Sequence, residues 1–212
     1  MIPVRIVERL CAYRRHLRRW LDQGRARIYS HELASLHNVT PVLVRRDLMT
    51  IGFTGSPARG YDVAGLIARI DELLDPADNE AIVLVGLGYL GRAILKYLSR
   101  VHPELPVVAA FDVAPEKVGR IIDGCRCYSA SEMEDILRAG PVSVAVVAVP
   151  IDAAQDTADR LVRAGVRGLL NFTPVRLHVP PDVFVEDVDI AASLEKLVFF
   201  TRPTAKPAES RE

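Results

Sequence analysis

What this 212-residue chain lacks narrows its class first. It has no apolar run near the roughly 18 residues that a membrane-spanning helix needs; its longest apolar-rich stretches, such as Val142 to Val149, are strand-length. Three cysteines, Cys11, Cys125 and Cys127, are too few and odd in number for a disulfide framework, which fits a reducing compartment. Cys125-x-Cys127 has neither Cys-x-x-Cys redox spacing nor partner ligands for zinc, so ordinary free thiols and no metal site are expected. A secretory leader is not expected, because Arg5, Glu8 and Arg9 interrupt the region that would have to be apolar. The expectation is a cytoplasmic globular protein with no membrane partner.

Net charge is also lacking, but the zero conceals an uneven distribution. Residues 1–60 hold eleven Arg, no Lys and four acids (Glu8, Asp22, Glu32 and Asp47), a net of +7. The other 152 residues carry 16 bases and 23 acids, a net of −7. A basic head on an acidic body is the electrostatic footprint of a nucleic-acid binder. A solvated basic face without a partner is the plainer alternative.

Within that head, Ile6, Leu10, Tyr13, Leu17 and Trp20 or Leu21 recur at helical spacing, predicting a helix from Pro3 to Gln23 that Gly24 terminates. Ser30 reads as the N-cap of a short helix through Leu36, and His37-Asn38-Val39 as a turn. Thr40 then caps a third helix with Pro41 at its first position, running through Val44-Arg45-Arg46-Asp47-Leu48. This is the helix-turn-helix layout. The glycine-rich stretch from Ile51 to Tyr61 suggests a hairpin, the wing of a winged helix. Val63 to Leu74 reads as a connecting helix and residues 75–79 as a linker.

Beyond the linker, the apolar run Ala81-Ile82-Val83-Leu84-Val85 reads as a buried parallel strand, followed by Gly86-Leu87-Gly88-Tyr89-Leu90-Gly91 and then a helix. A strand, a Gly-x-Gly-x-x-Gly turn and a helix together place close-approaching backbone and a helix N-terminus against a pyrophosphate. Asp112 lies 26 residues after Gly86, where the fingerprint expects an acid for the ribose hydroxyls. A carboxylate there repels a 2′-phosphate and favours NAD over NADP; Lys117 and Arg120 soften that exclusion. Asp112 could instead only cap the turn before Pro115.

The remaining pattern alternates in the doubly wound manner. Strands are expected at 107–112, 142–149, 168–172 and near 183–185, with helices at 89–101, 131–139, 153–164 and 190–200. No catalytic site accompanies the nucleotide motif: 40 residues follow Phe172, too few for a substrate domain, and His178 there has no evident partner. The expected α/β architecture is a winged helix-turn-helix domain (1–79), a Rossmann dinucleotide-binding domain (80–188), a C-terminal helix (189–202) and a disordered tail (203–212).

These residues carry a resemblance. From about Ile2 to Phe200 the chain resembles the Rex family of redox-sensing transcriptional repressors. Val44-Arg45-Arg46-Asp47-Leu48 is similar to that family's Val-Arg-Lys-Asp-Leu. Ala109-Ala110-Phe111-Asp112, Glu116 to Arg120, Val149-Pro150, Ala154-Gln155 and Gly168 to Val175 are similar to its Rossmann motifs. The resemblance implies a homodimer that binds an AT-rich inverted repeat of double-stranded DNA when NADH is scarce and leaves it when NADH binds.

It also implies a last helix exchanged between subunits, and a switch whose matching positions are Arg15, Tyr97 and Asp189. NADH and NAD are the implied cofactors, with Val113, Lys117, Val149 and Pro150 joining residues 86–91 and Asp112 at the nucleotide. Ser30, Thr40, Arg45, Arg46 and Arg59 are the positions expected at DNA. In the wing, Ser56-Pro57 stands where the family carries a Lys-Arg pair, leaving Arg59 as its only charge. Two other readings are a small NAD-dependent oxidoreductase with an N-terminal extension and a module that senses coenzyme A; Asp112 argues against the second.

Overall fold

A computed structural model of the chain describes residues 2–56, 58–74 and 81–202. The linker at 75–79 and the tail at 203–212 expected from sequence lie outside the described residues. Two compact units divide the chain, Met1–Ala77 and Asp78–Glu212.

The first unit runs α1 (Val4–Asp22), β1 (Arg27–Ile28), α2 (Ser30–Leu36), α3 (Pro41–Thr50), β2 (Tyr61–Asp62) and α4 (Val63–Leu74). Leu10, Tyr13 and Leu17 lie three and four residues apart, so they form one stripe of α1, and all three are fully buried. They join Leu33, Val44, Leu48, Leu66 and Ile70 in one core. Each such large side chain contributes about 1.5–3 kcal/mol of burial.

Gly24 ends α1 at φ +79°. Its amide donates to the Leu21 carbonyl at 2.8 Å and that of Arg25 to Trp20 at 2.9 Å, a paired closure that satisfies the helix's last carbonyls. Thr40 Oγ1 accepts from the Leu43 amide at 3.2 Å, with Pro41 at the first position of α3.

Two local expectations need correction. Ser30 is the first helical residue of α2, not its cap: Tyr29 holds the extended cap conformation, and Glu32 Oε2 accepts the Tyr29 amide at 2.7 Å. Nor is the wing a self-contained hairpin. Tyr61-Asp62 pairs antiparallel with Arg27-Ile28, a strand the sequence reading lacked, and only a Ser56–Gly60 bridge closes the tip. Gly60 is needed there, because at φ +67° a Cβ would overlap the Ile28 carbonyl oxygen.

The second unit runs β3 (Ala81–Val85), α5 (Tyr89–Val101), β4 (Val107–Asp112), β5 (Ile121–Ile122), β6 (Cys125–Ser129), a 3-10 turn (Ala130–Glu132), α6 (Met133–Arg138), β7 (Val142–Val147), α7 (Ile151–Arg163), β8 (Gly168–Asn171), β9 (Phe184–Asp187) and α8 (Ile190–Thr201). Its sheet has the order β5-β6-β4-β3-β7-β8-β9. Every pairing is parallel except β5 with β6.

Both faces of the sheet are covered, which explains the near-continuous apolar strands. Val83, Phe111 and Val147 pack with Met133 of α6 and with Ala154, Ala158 and Leu161 of α7. On the other face Leu84, Ala110 and Val146 pack with Leu95 of α5. Strand order reverses between β3 and β7, and such a switch point leaves a crevice at the carboxyl ends of the strands.

α8 differs from every other helix of this length. It has no buried residue, and Ile190, Leu194, Leu197, Val198, Phe199 and Phe200 are each more than half exposed. Among the described residues no helix is long and apolar enough to cross a membrane.

Candidate nucleotide and nucleic-acid sites

A cleft of about 750 Å³ opens at the switch point of the Rossmann unit. The turn after β3 forms its floor. Gly86 has φ +96°, its amide donates to the Phe111 carbonyl at 2.8 Å, and a Cβ there would overlap the Ala148 carbonyl oxygen. A Cβ on Gly91 would overlap the carbonyl of Gly86, so this residue sets how closely α5 approaches the turn. Gly88 is different. A Cβ there would meet nothing within 4 Å, because this glycine, the residue before α5, faces the cleft.

No acidic side chain lies in the first turn of α5. The helix therefore presents free amides and the positive end of its dipole without a competing carboxylate of its own. These features fit a diphosphate: two glycines are required by the protein's own backbone, and the third keeps open the space a ligand would fill.

Asp112 stands at the end of β4 and is 8% exposed. Its Oδ2 accepts the Leu87 amide at 2.7 Å and Lys117 Nζ at 3.0 Å, while Oδ1 accepts the Ala114 amide at 2.8 Å. Burial opposes its ionisation, but the Ala114 amide, the Lys117 ammonium and the Leu87 amide outweigh it and hold the carboxyl below the usual range. Asp112 thus caps the turn that follows it and also lines the cleft, so the two readings of this residue are compatible.

Gly86, Gly88, Tyr89, Leu90, Asp112, Val113, Lys117, Val149 and Pro150 all line the cleft. Leu87 and Gly91 do not: the Leu87 side chain is buried in the core beneath, and Gly91 is buried in α5. Tyr89 and Val113 are 100% and 82% exposed, an unusual cost for apolar side chains at the rim of a cleft. The sequence reading missed the opposite wall, Ala153, Asp156, Thr157 and Arg160, together with Phe172. The first four recur at three- and four-residue spacing along α7, a signal available in the sequence. Only the strand order says which face of that helix meets the cleft.

In the first unit, α3 buries Val44, Asp47 and Leu48 and exposes Arg45 and Arg46. Arg45 Nη1 donates to Ser30 Oγ at 3.0 Å, so the start of α2 steadies that guanidinium. Thr40 is exposed with its hydroxyl committed to the α3 cap, and Arg59 is exposed on the wing. Tyr29 ties the wing down, its hydroxyl donating to the Ala58 carbonyl at 3.2 Å.

Of the switch positions, Arg15 is exposed on α1. The Tyr97 hydroxyl lies 3.4 Å from His102 Nε2. Asp189 caps α8, Oδ1 accepting the Ala192 amide at 2.8 Å. Among the described residues no group of three or more His, Cys, Asp or Glu is placed to hold a metal.

A helix-turn-helix with two exposed arginines, carried on the same chain as a Rossmann cleft, defines a class of two-domain DNA-binding regulator. Comparisons with known proteins agree. Residues 77–175 match the family described as "CoA binding domain", and residues 1–48 match "Putative DNA-binding protein N-terminus". The redox-sensing transcriptional repressor Rex of Listeria welshimeri is 37% identical over 199 residues, covering 94% of this chain and 93% of that protein. Among solved structures of RSP, a Rex-family repressor, the complex with NAD+ and operator DNA has a TM-score of 0.87 at 32% identity, covering 94% of this chain and 92% of the other. The complex of RSP with NADH has a TM-score of 0.82 at the same identity and covers 94% of both chains. The chain belongs to the Rex family of redox-sensing transcriptional repressors.

Proposed function

We propose that this chain is a homodimeric repressor that holds an AT-rich inverted repeat of double-stranded DNA and releases it when NADH enters the Rossmann cleft. Operator occupancy then follows the NADH/NAD balance. The observation that carries this reading is Gly88, which opens the cleft at an acid-free helix N-terminus in a family whose member RSP has been solved with NADH and with NAD+ plus operator DNA. The coenzyme-A description of the matched domain family is compatible with the scaffold. Asp112, an acid placed for a ribose diol, and the named relatives favour the dinucleotide. Those relatives are repressors, so an oxidoreductase reading gains no support.

In this reading the glycine turn and the first amides of α5 hold the diphosphate, Asp112 accepts from the adenosine ribose, and Lys117 keeps Asp112 ionised and oriented. Arg46 reaches a base edge in the major groove, Arg45 a phosphate, and Arg59 the backbone or minor groove beside the wing. Ser30 and Thr40 frame the helix pair that presents them. The domains are residues 1–79 for DNA and 80–188 for the nucleotide, with 189–202 as an arm exchanged between subunits in a cytoplasmic homodimer. An apolar helix with no covered face needs a partner surface, and a second copy supplies one. Arg15, Tyr97 and Asp189 meet across that dimer and report its state.

A helix-turn-helix dimer reads two half-sites only at the right spacing, so a ligand that favours another arrangement of the two copies selects against DNA. Linkage requires operator DNA to weaken NADH binding by the same factor. The test is the anisotropy of a fluorescent inverted-repeat duplex titrated with protein, without nucleotide, with NADH and with NAD. NADH is expected to weaken binding strongly and NAD little, and Asp189→Ala to reduce the NADH effect while sparing NADH affinity. Equal duplex affinity with and without saturating NADH in the wild-type protein would sink the proposal.

A further inference from the structure

Asn171, the last residue of β8, is fully buried and uses its whole side-chain amide. Its Nδ2 donates to the Val175 carbonyl at 2.8 Å and to Asp187 Oδ1 at 2.8 Å. Its Oδ1 accepts the Thr173 amide at 3.0 Å and the Thr173 hydroxyl at 2.7 Å. An amide has two N–H donors and two acceptor lone pairs, so none is spare. The backbone of the same residue accepts the Val188 amide at 2.8 Å.

Those bonds lead in two directions. Thr173 and Val175 belong to the loop that leaves β8 and begins with Phe172, a wall residue of the nucleotide cleft. Asp187 and Val188 form the end of β9 and the step into Asp189, which caps α8. The loop cannot shift without breaking this saturated cluster or dragging the root of α8 with it. A broken bond inside leaves a buried polar group unsatisfied, a penalty that favours the concerted alternative.

We propose that Asn171 is a positioning residue that couples the cleft wall at Phe172 to the root of α8, through its hydrogen bond to Asp187. The inference rests on the NADH-responsive reading above and adds the route by which an event in the cleft reaches the apolar helix. Asp187 is the end of the relay that can be cut safely, because it is exposed and lines no part of the cleft.

The experiment measures two quantities on the full-length protein: NADH affinity by calorimetry, and the ratio of duplex affinities without and with saturating NADH. Asp187→Ala is expected to fold with a lowered melting temperature, because one Asn171 N–H loses its acceptor, to bind NADH and nucleotide-free duplex as wild type does, and to lose a large part of the ratio, about fivefold or more. Asp187→Asn, which keeps an acceptor for Asn171 but not the charge, is expected to restore it. A merely structural role would lower the melting temperature as well but leave the ratio intact, so the ratio decides between them. Should Asp187→Ala keep the full ratio, or Asp187→Asn lose it as the alanine does, the relay is overturned while the sensor reading stands. A wild-type ratio of one removes the sensor reading itself and the relay with it.

Discussion

Arg9 and Asp47 face each other across α1 and α3 in a two-point contact, Nε to Oδ2 and Nη2 to Oδ1, each at 2.6 Å. The Tyr13 hydroxyl adds a third donor to Asp47 at 3.1 Å. Asp47 is 1% exposed, and burial together with this carboxylate raises the Tyr13 pKa above its ordinary value. The acid inside the Val-Arg-Arg-Asp-Leu segment is therefore turned into the core, away from the outer surface of α3. It fixes the helix whose outer side carries Arg45 and Arg46.

Asp47→Ala should accordingly cost about 3 kcal/mol of stability in the first unit, since removing one partner strands a guanidinium and a buried hydroxyl. Urea unfolding of the full chain checks this. An unchanged midpoint would mean that packing alone sets the pose of α3.

Gly86 and Gly88 should respond in opposite ways. Gly86→Ala is strained at φ +96° and collides with the Ala148 carbonyl, so it should destabilise the Rossmann unit with or without ligand. Gly88→Val places its side chain in the cleft, so the melting temperature should hold while calorimetric NADH binding disappears. Normal NADH binding by Gly88→Val would put the dinucleotide elsewhere.

Arg46→Ala should weaken duplex binding by about 1–3 kcal/mol and relax preference at one base position. Binding to a panel of single-base variants at several salt concentrations separates base contact from phosphate contact. Equal weakening on every duplex, with a shallower salt dependence, would assign Arg46 to the backbone.

Acid should act on the second unit partly through Glu134. Its paired hydrogen bonds with Arg160, against a smaller opposing effect of burial, hold its carboxyl down at about 2, compared with an ordinary 4.5. A depressed folded-state pKa stabilises the protein above the unfolded value, and that stabilisation is lost as pH falls from about 4.5 towards about 2. Glu134→Gln should be less stable at neutral pH and show a flatter loss of stability across that window. Unfolding midpoints at a series of pH values read both effects; parallel curves for the two proteins would remove Glu134 from acid sensitivity.

The elements were legible where a single period or a pair of punctuating residues settles them. The apolar stripe of α1, the Thr40-Pro41 start of α3 and the strand before Gly86 are of this kind. What stayed hidden depends on partners far away in sequence. Arg27-Ile28 is only two residues long and becomes a strand because Tyr61-Asp62 returns to it. Cys125 to Ser129 has no apolar run, yet it extends the sheet beside β4. Ser30 looks like a cap in isolation and loses that role because Tyr29 takes the extended conformation.

In the site, the glycine turn and Asp112 could be read from spacing. Phe172 and the Asn171 cluster could not, and the helical spacing of the α7 residues does not say that they form the wall, because strand order decides which residues converge.

Cys125 and Cys127 alternate along β6 with both sulfurs buried, and burial pushes the Cys125 thiol up to about 11 and raises that of Cys127 as well. Thiolate is the form that peroxides attack, so burial works against oxidation of both sulfurs. Cys127 sits two rungs from Asp112 along the paired strands, close to where a nucleotide would report the cell's electron supply. Reading a dissociable carrier, and not the oxidation of these two sulfurs, would leave the chain covalently unchanged by each signal.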